Sequence, residues 1–281
     1  MKNTIYSLIF IWFIYTIPQH IYSQTTHIMS FNIRYDNPND NENYWGNRKE
    51  DVVNLIEHYH PDFLGIQEGL LNQVEYIKNN TSNYAMIGIG RENGDKKGEF
   101  SAIFYDINAY ELLEQNTFWL SDNPDTISIG WDAVLERICT YGKFKNKITK
   151  EVIYIFNTHF DHIGKKAREM SARLILKKVS DITLESSKVI VMGDLNSEPQ
   201  SETVKIFKTK LSDGKEVTKK KFYGPFGTFN GFDINSIVKR RIDYIFIKNL
   251  NVNSYQHIDD KRLNNFWVSD HLPVLITVSM H

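Results

Sequence analysis

The segment Ser187-Lys-Val-Ile-Val-Met-Gly-Asp-Leu-Asn196 restricts the fold more than any other part of the chain. An apolar run, Val189 to Met192, stops at Gly193. A short β-branched run closed by glycine is a buried strand that reaches the edge of its sheet. Gly193 permits the turn there. Asp194 and Asn196 are two residues apart and share one side of the chain while it stays extended. A carboxylate and a carboxamide at the end of a buried strand can hold a water, a metal ion or a phosphate. The same residues also populate ordinary strand-to-loop turns. Whether other strands end in the same way separates the two readings.

They do. Thr26 to Arg34 reads as a strand ending in Asn32, Arg34 and Asp36, and Asp62 to Gly69 as a strand ending in Gln67 and Glu68. Arg137 to Lys145 and Val152 to Asn157 form a hairpin, and the second runs into Asn157-Thr-His-Phe-Asp-His162. In Arg240 to Ile247 and Val268 to Val278 the polar residues come before the apolar run. In antiparallel neighbours the start of one strand lies beside the end of the next. Asp243, Asp270 and His271 therefore fall on the same rim as Asn32, Glu68, His159, Asp194 and Asn196. Further strands are expected at Tyr84 to Ile89, Phe100 to Tyr105 and Tyr110 to Leu120. Helices are expected at Arg48 to Tyr59, Leu70 to Lys78, Lys165 to Asp181 and near Glu202 to Phe207. Arg91 to Gly98 reads as a mobile charged loop. The basic run Lys219 to Lys221 with the aromatic and glycine segment Phe222 to Phe232 reads either as a solvated cluster beside a packed loop or as a wall facing substrate.

The 281 residues carry no linker, repeat or low-complexity block, so one domain is expected over residues 24–281. Residues 1–23 stand apart. Lys2 precedes an apolar run from Tyr6 to Ile17 and a small residue, Ser23, in the manner of a signal peptide. The run is too short to span a bilayer, so no transmembrane span is expected in the mature chain. The mature protein is expected to be exported, to a periplasm or outside the cell. Cys139 is the one cysteine, which excludes an intrachain disulfide and a cysteine-built zinc site, and its apolar setting suits a buried structural thiol. The net charge is −1, so no overall basic field gathers polyanions.

So many carboxylates on one rim repel each other unless a cation is present. Oxygen donors without cysteine select Mg²⁺, with Mn²⁺ and Ca²⁺ as alternatives, over zinc. A divalent cation with imidazoles and amides suits phosphoryl chemistry: a polarised phosphoryl oxygen, an oriented water, and donors that hold the developing charge.

Six blocks carry a resemblance. They are Ser-Phe-Asn-Ile-Arg at 30–34, Gly-Ile-Gln-Glu at 65–68, Asn-Thr-His-Phe-Asp-His at 157–162, Gly-Asp-Leu-Asn at 193–196, Arg-Ile-Asp-Tyr-Ile at 241–245 and Ser-Asp-His-Leu-Pro-Val at 269–274. In this order they resemble the endonuclease/exonuclease/phosphatase superfamily of deoxyribonuclease-like, metal-dependent phosphoesterases. Glu99-Phe100-Ser101, Gly130-Trp131-Asp132 and Gly227 to Phe232 resemble a secreted bacterial, deadenylase-like branch.

The resemblance implies an α/β four-layer sandwich, two mixed and mostly antiparallel sheets face to face with helices outside. It implies a metal site at Glu68 with Asn32 nearby and Asp270 as a further ligand. It implies that Asp194 orients or activates water, that Asn196 holds a phosphate oxygen, and that His271 pairs with Asp243. His159 would contact the scissile phosphate with Asn157 beside it. Arg137 either faces phosphate or pairs on the surface. Asp161 and His162 either line substrate or start the following helix. Trp131, Phe229 and Phe232 either stack a base or a ring or belong to the core.

The expected activity is hydrolysis of a phosphomono- or diester by in-line attack of an activated water. Small nucleotides, sugar or inositol phosphates and lipid head groups are the substrate candidates. A secreted nuclease acting on DNA or RNA is the alternative, and a phosphate-binding module without catalysis the third reading. No obligate protein partner is indicated.

Overall fold

The computed structural model describes residues 25–279, so the expected signal peptide lies outside the described residues. In chain order the elements are β1 (Thr25–Asn32), α1 (Trp45–Tyr59), β2 (Phe63–Gln67), α2 (Leu71–Asn80), β3 (Tyr84–Ile87), β4 (Ile103–Asp106), β5 (Tyr110–Trp119), β6 (Ile138–Asn146) and β7 (Val152–His159). There follow α3 (Lys165–Ile182), β8 (Lys188–Asp194), α4 (Glu202–Lys208), β9 (Ser212–Asp213), α5 (Gly214–Val217), β10 (Asp243–Lys248), β11 (Asn251–His257) and β12 (Val274–Ser279).

The strands form two six-stranded sheets, in the orders β11-β12-β1-β2-β4-β3 and β5-β6-β7-β8-β10-β9. Each is mixed: β1 runs parallel to β2 and β7 parallel to β8, and the remaining pairs are antiparallel. Ile28, Phe63, Phe144, Ile155, Ile190, Met192, Ile245 and Ile276 interdigitate between the sheets. α1 and α2 close the outside of the first sheet with Val52, Ile56, Val74 and Ile77 over Met29, Leu64 and Phe104. On the second, Ala172, Ile175, Val204 and Phe207 of α3 and α4 cover Phe156, Val191 and Phe246. The order of layers is helix, sheet, sheet, helix, as the resemblance implies.

The helix ends follow from local chemistry. α1 ends where His60 turns left-handed at φ 40° ahead of Pro61. The Ser201 hydroxyl accepts the Val204 N–H at the start of α4. Two carboxylates from preceding loops hold the start of α3. Asp161 accepts the N–H groups of Ile163 and Gly164 at 2.9 and 2.7 Å, and Asp132 accepts those of Lys166 and Ala167 at 3.2 and 2.5 Å.

Register decides where the site falls. Asp194 pairs with His159 on one side and Asp243 on the other, while Asn32 pairs with Gln67 in the facing sheet. Three of the elements above are absent from the sequence reading, the short β9 and α5 and the longer β11, Asn-Val-Asn-Ser-Tyr-Gln-His. β11 is an edge strand with a register shift between Val252 and Ser254, so it carries little apolar alternation. The Lys219–Tyr223 segment runs along its free edge through Lys219 N–H to Val252 O and Tyr223 N–H to Tyr255 O. The Arg91 to Gly98 loop is tied rather than loose: Arg91 forms a two-bond ion pair with Glu99, both bonds at 2.8 Å, and the Trp119 indole donates to Arg91 O. Cys139 is buried in β6, and burial raises its thiol pKa well above the usual range.

Candidate active site

A cavity of about 460 Å³ opens at the rim where β1, β2, β7 and β8 end and β10 begins. Its lining includes Glu68, Arg137, His159, Asp194, Asn196, Phe229, Asp270 and His271. Three lining residues other than glycine have left-handed backbones: Arg34 at φ 58°, Glu68 at φ 64° and Asn196 at φ 46°. Such conformations cost energy and concentrate where side chains must be aimed.

The buried Asp194 carboxylate is the hub. Asn32 Nδ2 donates to it at 3.1 Å and to Glu68 at 3.0 Å, joining the two sheets across the site. The Asn196 backbone N–H donates to its second oxygen at 2.8 Å. His159 Nε2 stands 3.5 Å from it and His271 Nε2 3.7 Å. His271 Nδ1 lies 2.8 Å from Asp243.

The two histidines are held in opposite charge states. Burial pushes His159 down to about 3, helped by the Arg137 charge and opposed by Asp194. Its tautomer follows from Asn196, whose Nδ2 donates to Phe160 O and so presents an N–H to His159 Nε2 at 3.2 Å. Nε2 accepts, and the ring proton sits on Nδ1 facing Glu99 at 3.6 Å. Burial also works against the charge on His271, but Asp243 and Asp194 outweigh it and hold its pKa well above the usual histidine range. Burial and the Asp243 charge raise Asp194, and burial lifts Asp270 to about 6 despite His271.

The donor set fits a hard divalent cation. One ligand atom each from Glu68, Asp194 and His271 lies within 4.8 Å of the others. The positive charge held on His271 by Asp243 makes the carboxylates the better ligands and leaves His271 as a donor. Asp270 lines the same cavity and stands outside that three-residue group.

Several expectations need correction. Asn157 is fully buried and makes no cavity wall; it donates to Ile66 O and Ala102 O, both at 2.8 Å, and accepts from Gln67 at 2.7 Å. Its amide is spent on tying the sheets together, which removes it from substrate contact. Asn32 turns its N–H groups toward Glu68 and Asp194 while its oxygen accepts the Arg34 N–H at 3.0 Å, so it braces the carboxylates rather than offering them a third oxygen. Trp131 donates its indole N–H to Asp122, and Phe232 packs beside Val238, Trp267 and Leu272; neither lines the cavity. Phe229 does, with its ring 5.1 Å from that of His271. Arg137 lines the cavity while pairing with Asp161. The cavity also gathers Arg34, Tyr35, Glu99, Leu135 and Arg240, which sequence pattern left unassigned. Arg34 and Arg240 had a signal in their places at the polar ends of strand runs, and Glu99 in a block that carries the resemblance.

A two-sheet sandwich with this acidic and imidazole rim defines a metal-dependent hydrolase of phosphoester bonds. The chain belongs to the endonuclease/exonuclease/phosphatase family, whose model matches residues 29–271. It is similar to an endonuclease/exonuclease/phosphatase family protein from Bacteroides thetaiotaomicron, with 36% identity, 92% of this chain and 98% of that one covered, and a TM-score of 0.88. It is similar to the Bacteroides thetaiotaomicron mannosyl-6-phosphatase, with 37% identity, 90% and 99% covered, and a TM-score of 0.86. An uncharacterized protein of Acanthamoeba polyphaga mimivirus is 29% identical over 253 residues, 83% of this chain and 91% of the relative.

Proposed function

We propose that the protein is an exported phosphatase of small phosphoesters, with sugar phosphates as its preferred class and Mg²⁺ as its ion. The observation that carries the substrate class is the half-open cavity of about 460 Å³, lined by Phe229, Leu135 and Tyr35, whose size suits a small leaving group. The likeness to a mannosyl-6-phosphatase supports it. Export rests on the charged and apolar pattern of residues 1–23, and residues 24–281 then act as one catalytic domain. No helix among the described residues is long and apolar enough to cross a membrane.

In this reading Glu68 and Asp194, with Asp270 beside them, hold the ion, which polarises the phosphoryl oxygen when bound. Asp194, braced by Asn32 and the Asn196 N–H, orients the attacking water. Neutral His159 and the Asn196 amide, bonded to each other, line the cavity on the phosphoryl side. Cationic His271, oriented by Asp243, donates to the oxygen on which negative charge grows.

The test is turnover by residues 24–281 over hexose phosphates, inositol phosphates, nucleotides, oligonucleotides, sphingomyelin and p-nitrophenyl phosphate, with Mg²⁺ or EDTA and an Asp194→Asn control. Metal-dependent turnover lost in the variant and highest on a hexose phosphate is expected. Preference for oligonucleotides would replace this reading with a nuclease.

A further inference from the structure

The sequence leaves His162 undecided between contacting substrate and starting α3. The structure places it on the cavity wall beside Leu135 and Arg137. Its Nδ1 lies 3.0 Å from Arg137 Nη2. A guanidinium has only donors, so Nδ1 accepts and the imidazole proton is fixed on Nε2. Arg137 cannot readily turn away. It is 4% exposed, its Nε is 3.4 Å from Asp161 Oδ2, and that carboxylate is itself gripped by the N–H groups of Val134, Ile163 and Gly164. Burial works against the charge on Asp161, but these backbone bonds and Arg137 outweigh it and keep its pKa low. Asp161 thus sets Arg137, and Arg137 sets the ring.

His162 shares the cavity with Glu68, Asp194 and His271 but takes no part in their hydrogen-bonded network. Its Nε2–H makes no hydrogen bond among the described residues. A fixed donor polarised by a neighbouring cation, outside the phosphate-handling cluster, is suited to an uncharged oxygen on the part of the substrate beyond the phosphate. Phe229 supplies an apolar face in the same cavity, with the Arg240 guanidinium 5.1 Å over its ring. A few placed polar groups against an aromatic wall are how small-molecule sites fix orientation.

We propose that His162, locked as the Nε2–H tautomer by Arg137, is a specificity-determining residue that donates a hydrogen bond to a hydroxyl or ring oxygen of a polyhydroxylated leaving group. This rests on the small-phosphoester reading above and adds the contact that selects among such esters. A sugar phosphate gains the bond. An aryl phosphate, whose leaving group has no hydroxyl in that place, does not.

The experiment has two arms. In the free protein, long-range proton–nitrogen correlation spectra of the His162 ring should report Nε2–H; an Nδ1–H ring overturns the proposal whatever the substrate proves to be. Kinetics then compare wild type with His162→Phe, which keeps the ring and loses the donor, and His162→Gln, which returns an N–H near the same place. On the preferred hydroxylated ester of the panel, His162→Phe should raise KM about 5- to 10-fold with kcat little changed, the scale of one neutral hydrogen bond. His162→Gln should recover most of that loss, and p-nitrophenyl phosphate should stay within about twofold throughout. Equal losses on both substrates, no loss on the hydroxylated one, or no recovery with glutamine would overturn the assignment. A wild-type enzyme that turns over no sugar phosphate but does hydrolyse another hydroxylated ester would overturn the sugar reading alone.

Discussion

Replacing Asn157 by alanine separates a structural amide from a catalytic one. The side chain is fully buried and makes three hydrogen bonds, to Ile66 O, Ala102 O and Gln67 Nε2, between 2.7 and 2.8 Å. At about 1 kcal/mol net for each, their loss costs about 3 kcal/mol. For a domain of this size that lowers the melting temperature by roughly 6 to 12 °C. Relaxation into the gap is limited because the facing backbone is close: a Cβ built on Gly65 would lie 2.8 Å from Asn157 Oδ1. Urea unfolding followed by circular dichroism reads the stability, with an unchanged slope expected. Steady-state turnover at 25 °C, well below the new transition, reads the chemistry and should stay within about threefold of wild type. The reasoning fails if Asn157→Ala keeps full stability yet loses turnover 100-fold or more, for that would place the amide on the substrate.

Other perturbations have equally definite outcomes. Asp243→Asn removes the charge that keeps His271 protonated and aimed, so kcat in steady-state turnover should drop by roughly 100-fold or more while circular dichroism shows the fold retained. Glu68→Gln should weaken Mg²⁺ binding measured by calorimetry, and EDTA should abolish wild-type turnover until a divalent ion is restored. Gly193→Ala places a Cβ against Thr158 O at a φ of 143°, and loss of soluble expression or a destabilisation of about 3 kcal/mol or more is expected by thermal melt. His257 is fully buried, and burial with the nearby Lys215 charge lowers its pKa from 6.5 to about 3. Between those values the unfolded chain binds a proton that the folded one refuses, so stability falls as pH drops below the unfolded value. From neutral pH to about pH 4.5 the His257 share is about 3 kcal/mol, and urea titrations should show His257→Gln losing less stability than wild type over that span.

Much of the site is legible in the sequence because strands that end at one rim leave a linear trace. A buried strand is written as an apolar run, and its polar terminus is written directly after or before it, as at Glu68, His159, Asp194, Asp243 and His271. The two-sheet sandwich is legible only through the family resemblance that the strand-end blocks carry. β11 escapes because an edge strand with a bulge has no apolar alternation to read. Tyr35 and Leu135 escape because they reach the cavity from loops, where no period marks the direction of a side chain.

The chain by itself determines which residue types stand at the strand ends, and with them the chemistry available: carboxylates, imidazoles and amides suited to a hard cation and a phosphate. Only the tertiary structure decides what each one does. Asn157 and His159 lie on one strand two residues apart, yet one is consumed between the sheets and the other faces the cavity. His159 and His271 are the same side chain, but burial and Arg137 keep the first neutral while Asp243 and Asp194, against burial, charge the second. Charge state, tautomer and exposure are set by atoms a few ångströms away in space, and those atoms come from parts of the chain that the linear order keeps far apart.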